Sequence, residues 1–393
     1  MLEIGEPLPV DVWSASGQLL LRKGHPVLSE QHRERLHAHQ ACSTLADALA
    51  WQRSYERMVH GLLRDGVAVQ KIARARMPAE IRDSDYVVAQ QVHGGWLDLQ
   101  EVLRGILYQG GLAINPLERL AGIEAKVQSL LQADPDDSLF CLFQALADAS
   151  LGYCATHALL SGVVCQLTAD KLGLAPERGR LLLNAALRMN IGMARDQDSM
   201  ARQSGGLADW QRVLVREHPE RSVEILRGFG FDDAEQLDLV RWHHAEGEAS
   251  EQPRTQVHRR ILGLADSFVA KMAARKTRLP LSPVRAVKSM VLGAAGDALG
   301  VGSAMAQAVG FYPPGTYVAL ANGETAVAVQ RGARANTPWV VSIVDKDGMP
   351  ISGYRLRDST TPVHAIAAPV TFDKVRVAVN LDKVRKARAS IPR

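Results

Sequence analysis

The chain is poor in cysteine, in aromatic residues and in unbroken apolar runs. Its four cysteines, Cys42, Cys141, Cys154 and Cys165, are scattered over 393 residues without a Cys-x-x-Cys pair. That spacing argues against a disulfide framework or a zinc knuckle and leaves buried, reduced thiols as the expectation. No stretch of about twenty consecutive apolar residues occurs. The most apolar segment, Leu139 to Leu167, carries Asp148 and His157, so membrane insertion is not expected. The opening MLEIGEPLPVDVW lacks a basic region followed by an apolar one, which makes a cytoplasmic location the expectation.

A surplus of one charge is missing too, the formal net charge being +4. The one basic cluster, Lys383, Arg385, Lys386 and Arg388, has no interleaved aromatics on which bases could stack. A solvated tail is expected there, and neither DNA nor RNA is an expected partner. Gly-x-Ser-x-Gly, His-Glu-x-x-His and kinase signatures are absent. The glycine-rich run from Gly293 to Gly302 lacks the Lys-Ser/Thr ending of a phosphate loop.

What is present is mostly helical periodicity. Alternation at Leu8, Val10, Val12, Leu19 and Leu21 predicts a small N-terminal β element within residues 1–45. Ser29 is a candidate N-cap, and amphipathic segments at Trp51 to Leu63, Val67 to Ala75 and Leu99 to Leu107 predict a helical connecting region, 46–138. Asp134-Pro135-Asp136-Asp137 reads as a helix start and a domain boundary, with carboxylates where the helix dipole favours them. A helical domain is expected over 139–312 and a small β module over 313–393, built on the Asn322-Gly323 and Asp347-Gly348 turns. The fold class expected is mainly α.

The chemistry lies in polar residues on apolar helix faces. Asp266 follows Leu262 by four residues and precedes Val269 by three, so it lies on an apolar stripe. A stripe through Leu237 and Val240 continues into His243 and His244. His218 precedes Pro219, which makes His218 the expected N-cap of a helix through Leu226. His157 shares a face with Tyr153, Cys154, Leu160 and Ser161. Singly, each reads as a core residue satisfied by hydrogen bonds. Their order and spacing weigh against taking each one singly.

These segments are HALLSGVVC from His157, AALRMNIGM from Ala185, HPERSVEIL from His218, WHH ending at His244 and RILGLADSF around Asp266. The succession, spanning Leu139 to Tyr312, resembles the HD-GYP phosphohydrolases, which hydrolyse cyclic-di-GMP. The resemblance implies an HD-type helical bundle. It implies that His157, His218, His243, His244 and Asp266 bind a divalent metal, Fe, Mn or similar, and that Arg275 and Arg278 contact substrate. The chain departs from the family pattern where His-Asp and a following Lys are expected, having Met189, Asn190 and Met193. The Gly-Tyr-Pro loop is absent, and Val269 replaces a further Asp. A neutral amide cannot bridge two cations with a full charge. The leading expectation is therefore a catalytically degenerate protein of cyclic-di-GMP signalling that binds nucleotide or signalling proteins. The alternatives are an active metal-dependent phosphodiesterase with a reduced ligand set and a non-enzymatic helical scaffold. Self-association is left open.

Overall fold

The structure is a computed structural model, and the residues described are 4–14, 19–39, 41–64, 67, 69–72, 81, 95–148, 151–244, 255–273, 280–293 and 300–392. It is predominantly helical, with a small N-terminal antiparallel hairpin and a separate small C-terminal sheet, as the sequence pattern predicts.

The hairpin pairs β1 (Val12–Trp13) with β2 (Leu19–Leu21). Then come α1 (Glu30–Ala38), opened by Ser29 as expected, α2 (Leu45–Arg64) and α3 (Val69–Ile72). Residues 73–75 of the segment read as helical lie outside the described residues.

The bundle continues with α4 (Trp96–Gln109), α5 (Pro116–Ala133), α6 (Pro135–Ala147), α7 (Tyr153–Lys171), α8 (Pro176–Arg188), α9 (Ala194–Arg202), α10 (Asp209–Gly228), α11 (Ala234–Trp242), α12 (Gln256–Met272), α13 (Pro283–Gly293) and α14 (Val301–Val309). Its axis is α7. Sixteen of its 19 residues are buried, so it is surrounded by neighbours rather than laid on a surface. The core around it draws Leu103 and Ile106 from α4, Ile123 from α5, Leu183 from α8, Phe268 from α12 and Met305 from α14. Among the described residues no helix is long and apolar enough to cross a membrane.

Gly152, at the start of α7, has no side chain to cap the helix. Asp198 of α9 does so instead, accepting from the Cys154 backbone N–H at 2.5 Å and from the Tyr108 hydroxyl at 2.6 Å. Burial and this neighbouring carboxylate push the Tyr108 hydroxyl well above its usual range. The first turn of α7, which carries Tyr153 and leads to His157, is thereby fixed to α9.

The C-terminal sheet contains β3 (Tyr317–Leu320), β4 (Thr325–Gln330), β5 (Trp339–Val344), β6 (Pro350–Asp358) and β7 (Ile366–Val370) in the antiparallel order β6-β5-β4-β3-β7. It is followed by α15 (Leu381–Arg388). The basic cluster is not a solvated tail. It forms α15, where Arg385 grips Asp137 at 2.8 and 2.9 Å and Arg388 meets Asp134 at 2.9 Å. Just after β4, Arg331 reaches Asp136 of the same helix start at 2.7 Å and the Ala308 carbonyl of α14 at 2.6 Å. The aspartates that begin α6 thus also receive three arginines of the C-terminal module.

Candidate metal centre

Pro219 lies inside α10 rather than at its first turn, so His218 is not an N-cap. This position has a chemical consequence. A helical residue 219 would normally donate its N–H to the Val215 carbonyl, and proline has none. Val215 O accepts instead from Nδ1 of His218 at 2.7 Å. His243 follows the last residue of α11, and its Nδ1 donates to Val240 O at 2.7 Å. Val240 is in the final turn, where carbonyls have no intrahelical donor. A proline inside one helix and the end of another therefore do the same work, each directing an imidazole N–H to a main-chain oxygen.

With Nδ1 protonated in both rings, the neutral tautomers carry lone pairs on Nε2. Those two Nε2 atoms face each other at 3.2 Å. Burial first, then the proximity of His244, pushes His243 down to about 3. Burial again, and next among the lowering causes His244, brings His218 down to about 4. Both rings are neutral near pH 7, so no proton lies between the nitrogens. The separation is close to the roughly 3.4 Å between two nitrogens held about 2.1 Å from one tetrahedral ion. His244 completes the group. Its ring centroid is 4.1 Å from that of His243 and 5.2 Å from that of His218. One nitrogen from each ring can be chosen so that all three lie within 4.8 Å of one another. The donor set fits a divalent transition ion. His218 and His243 are buried, but the His244 side chain is 46% exposed, which opens the trio to solvent.

His157 and Asp266 lie beside this trio and bind each other. His157 Nε2 donates to Asp266 Oδ1 at 2.7 Å, and the Tyr153 hydroxyl meets His157 Nδ1 at 2.9 Å. The other carboxylate oxygen, Oδ2, is 3.8 Å from His244 Nδ1. Burial would raise the Asp266 carboxyl, but the hydrogen bond from His157, with His244 and His243 nearby, holds it well below the usual carboxylate range. The five candidate ligands are therefore adjacent, as a trio and a pair.

Met189 and Asn190 occupy the turn after α8, and Met193 follows in a 3-10 turn. All three are buried. The turn lies against α10: Ser222 Oγ donates to Met189 O at 2.8 Å and accepts from Gly192 N at 3.0 Å. An added Cβ at Gly192 would sit 2.8 Å from the His218 carbonyl oxygen. Asn190 is 2% exposed, and among the described residues neither atom of its amide has a partner. Gly263 of α12 has the matching role at the other ring, an added Cβ there lying 2.6 Å from the His243 carbonyl oxygen. The sequence reading missed both buttresses; for Gly263 the signal was a glycine inside a helix, which marks such a close approach. Tyr153, which the sequence places on the same helix face as His157, is that ring's partner. Arg275, Arg278 and residues 245–254, where a Gly-Tyr-Pro loop would fall, lie outside the described residues.

No family model matches the sequence, and no curated protein does. Among solved structures the chain is similar to an HDG"Y"P protein from Bdellovibrio bacteriovorus, at 13% identity and a TM-score of 0.39, over 77% of this chain and 95% of that one. A similarity of that order leaves the chemistry to be argued from the residues themselves.

Proposed function

We propose that this protein is a metal-dependent phosphohydrolase of the HD type, working with a reduced ligand set on a phosphodiester, cyclic-di-GMP being the substrate that the HD-GYP resemblance implies. The observation that carries the reading is the pair of proton-free Nε2 atoms of His218 and His243, 3.2 Å apart and anchored from behind by main-chain oxygens. Two lone pairs held face to face are unfavourable unless a cation lies between them. His244 supplies the third imidazole and Asp266 the neighbouring negative charge.

A divalent ion in this position supplies positive charge that polarises a phosphoryl oxygen and makes water acidic enough to attack near neutral pH. Around it, buried His218 and His243 hold fixed nitrogens, while exposed His244 lies where substrate can approach. Asn190 brings an uncharged amide to the turn where the family has a bridging carboxylate, which supports one ion rather than two.

The test is elemental analysis of protein purified without chelator, followed by incubation with cyclic-di-GMP. About one divalent ion per chain, with linear or mononucleotide product lost in His243→Ala, is the expected result. Protein that stays metal-free and inert after addition of Fe, Mn, Zn and Ni would overturn it. The same assay addresses a second reading, favoured by Met189 and Asn190: a chain that binds nucleotide or signalling proteins without turnover. That reading requires nucleotide binding with no product.

A further inference from the structure

Two short strands are marginal on their own, and the N-terminal hairpin is held in place by α9 and α10. Arg22, the residue after β2, lays its guanidinium 3.8 Å over the ring of Trp210 in the first turn of α10 and reaches Asp196 Oδ1 of α9 at 3.4 Å. Asp11, the residue before β1, accepts from the Lys23 backbone N–H at 2.7 Å and, with its other oxygen, from Ser199 Oγ of α9 at 3.2 Å. Asp196 and Ser199 are three residues apart and share a helix face. One arginine thus spans two helices of the bundle, and a carboxylate of the same hairpin fastens the same edge of α9.

The contact between those two helices leads to His218. Trp210 and Val215 of α10 pack with Leu214 against Met200 of α9 and Met193 of the turn before it. Val215 carries the carbonyl that holds Nδ1 of His218, and Met193 closes the turn in which Gly192 abuts the His218 carbonyl. Because Pro219 removes the N–H that would tie Val215 O into the helix ladder, that oxygen depends on how its own turn is packed. A continuous run of packed groups therefore joins Arg22 to the His218 ring. No residue of α11, the helix that leads to His243, belongs to this cluster.

Resting on the metal reading above, we infer that Arg22 is a positioning residue for His218: by bridging Asp196 and Trp210 it holds α9 against the start of α10, and so holds the carbonyl that orients the ring. The N-terminal hairpin is then part of the support of the metal centre. Displacing it loosens His218 and leaves His243 as it was.

The imidazole N–H groups report this without metal. In the full chain with labelled histidine, isotope-edited NMR follows solvent exchange of the two Nδ1–H protons, assigned with His218→Gln and His243→Gln, and chelator competition gives the affinity for Co2+ alone. In Arg22→Ala the His218 N–H should exchange about two- to five-fold faster and Co2+ affinity should fall by a similar factor, the scale of one exposed cation–π contact. The His243 N–H should not change. Arg22→Lys should recover part of both effects, and Arg33→Ala, which removes a charge paired with Glu30 inside α1, should change neither. An unchanged His218 N–H in Arg22→Ala would overturn the inference, as would equal acceleration at both rings, the mark of general loosening. Selective acceleration at His218 in a protein that binds no Co2+ would support the coupling and sink the metal reading. Should Arg22→Ala not fold, Ser199→Ala removes the hydroxyl that Asp11 accepts from and decides by the same comparison of the two rings.

Discussion

Gly263 packs directly against the carbonyl oxygen of His243, with room for a hydrogen but not for a methyl group. The contact is backbone, so it cannot be relieved by turning a side chain. Gly263→Ala should push α12 from the end of α11 and destabilise the protein by about 1–3 kcal/mol, despite the better helix propensity of alanine. Metal affinity should fall with it, because His243 and Asp266 lie on opposite sides of this contact. Denaturant midpoints with a metal titration check this; a stability gain with unchanged affinity would refute it.

Stability without metal should fall as acid is added. His218 and His243 have folded values of about 4 and about 3, below the roughly 6.5 of an unfolded histidine. Below about 6.5 the unfolded chain takes up two protons that the folded chain refuses, so stability is lost from there down to about pH 3–4. The slope approaches about 2.7 kcal/mol per pH unit when both rings contribute. Asp266 acts in the same direction at lower pH: its depressed folded value stabilises above about 4 and is lost as pH falls through it. Denaturation between pH 7.5 and 5 measures the upper limb, and His243→Gln should reduce its slope. A flat profile would contradict the buried neutral pair.

Met189→His with Asn190→Asp restores the residue types of the family pattern in a turn already pressed against α10. The new carboxylate would be buried, so the metal-free variant should lose several kcal/mol. Added metal should recover that stability, and bound ion should rise from about one towards two per chain, with faster turnover. Elemental analysis and thermal melts with and without metal decide it; unchanged stoichiometry would show that the turn does not face the ion.

The C-terminal module should be held unequally by its arginines. Arg331 is only 24% exposed and satisfies both Asp136 and a main-chain carbonyl, so Arg331→Ala should cost about 1–3 kcal/mol. Arg385 is half exposed, and Arg385→Ala should cost under about 1 kcal/mol and nothing measurable in 1 M salt. Equal losses at both salt concentrations would refute this ordering.

Much of the fold was legible because periodicity and turn residues are local signals. The helical run to Val309, the Ser29 cap and the strands around Asn322-Gly323 and Asp347-Gly348 all follow from them. β7 escaped because its five residues include Pro369 and two alanines, and its pairing with β3 is nonlocal. The basic cluster was misread because its partners, Asp134 and Asp137, are some 250 positions away. At the site, the five polar residues singled out in the sequence do come together. Their division into a trio and a pair could not be read there, since it depends on which ring nitrogen meets which oxygen across four helices.

The oxygens that anchor His218 and His243 belong to the peptide backbone of Val215 and Val240. A backbone acceptor survives any codon change at its own position, whereas a carboxylate acceptor is lost in a single mutation. Two of the three imidazoles therefore have orientations that genetic drift in neighbouring side chains does not erase, provided Pro219 stays and α11 ends where it does. The third faces the carboxylate of Asp266 across 3.8 Å, a neighbour that a single substitution removes.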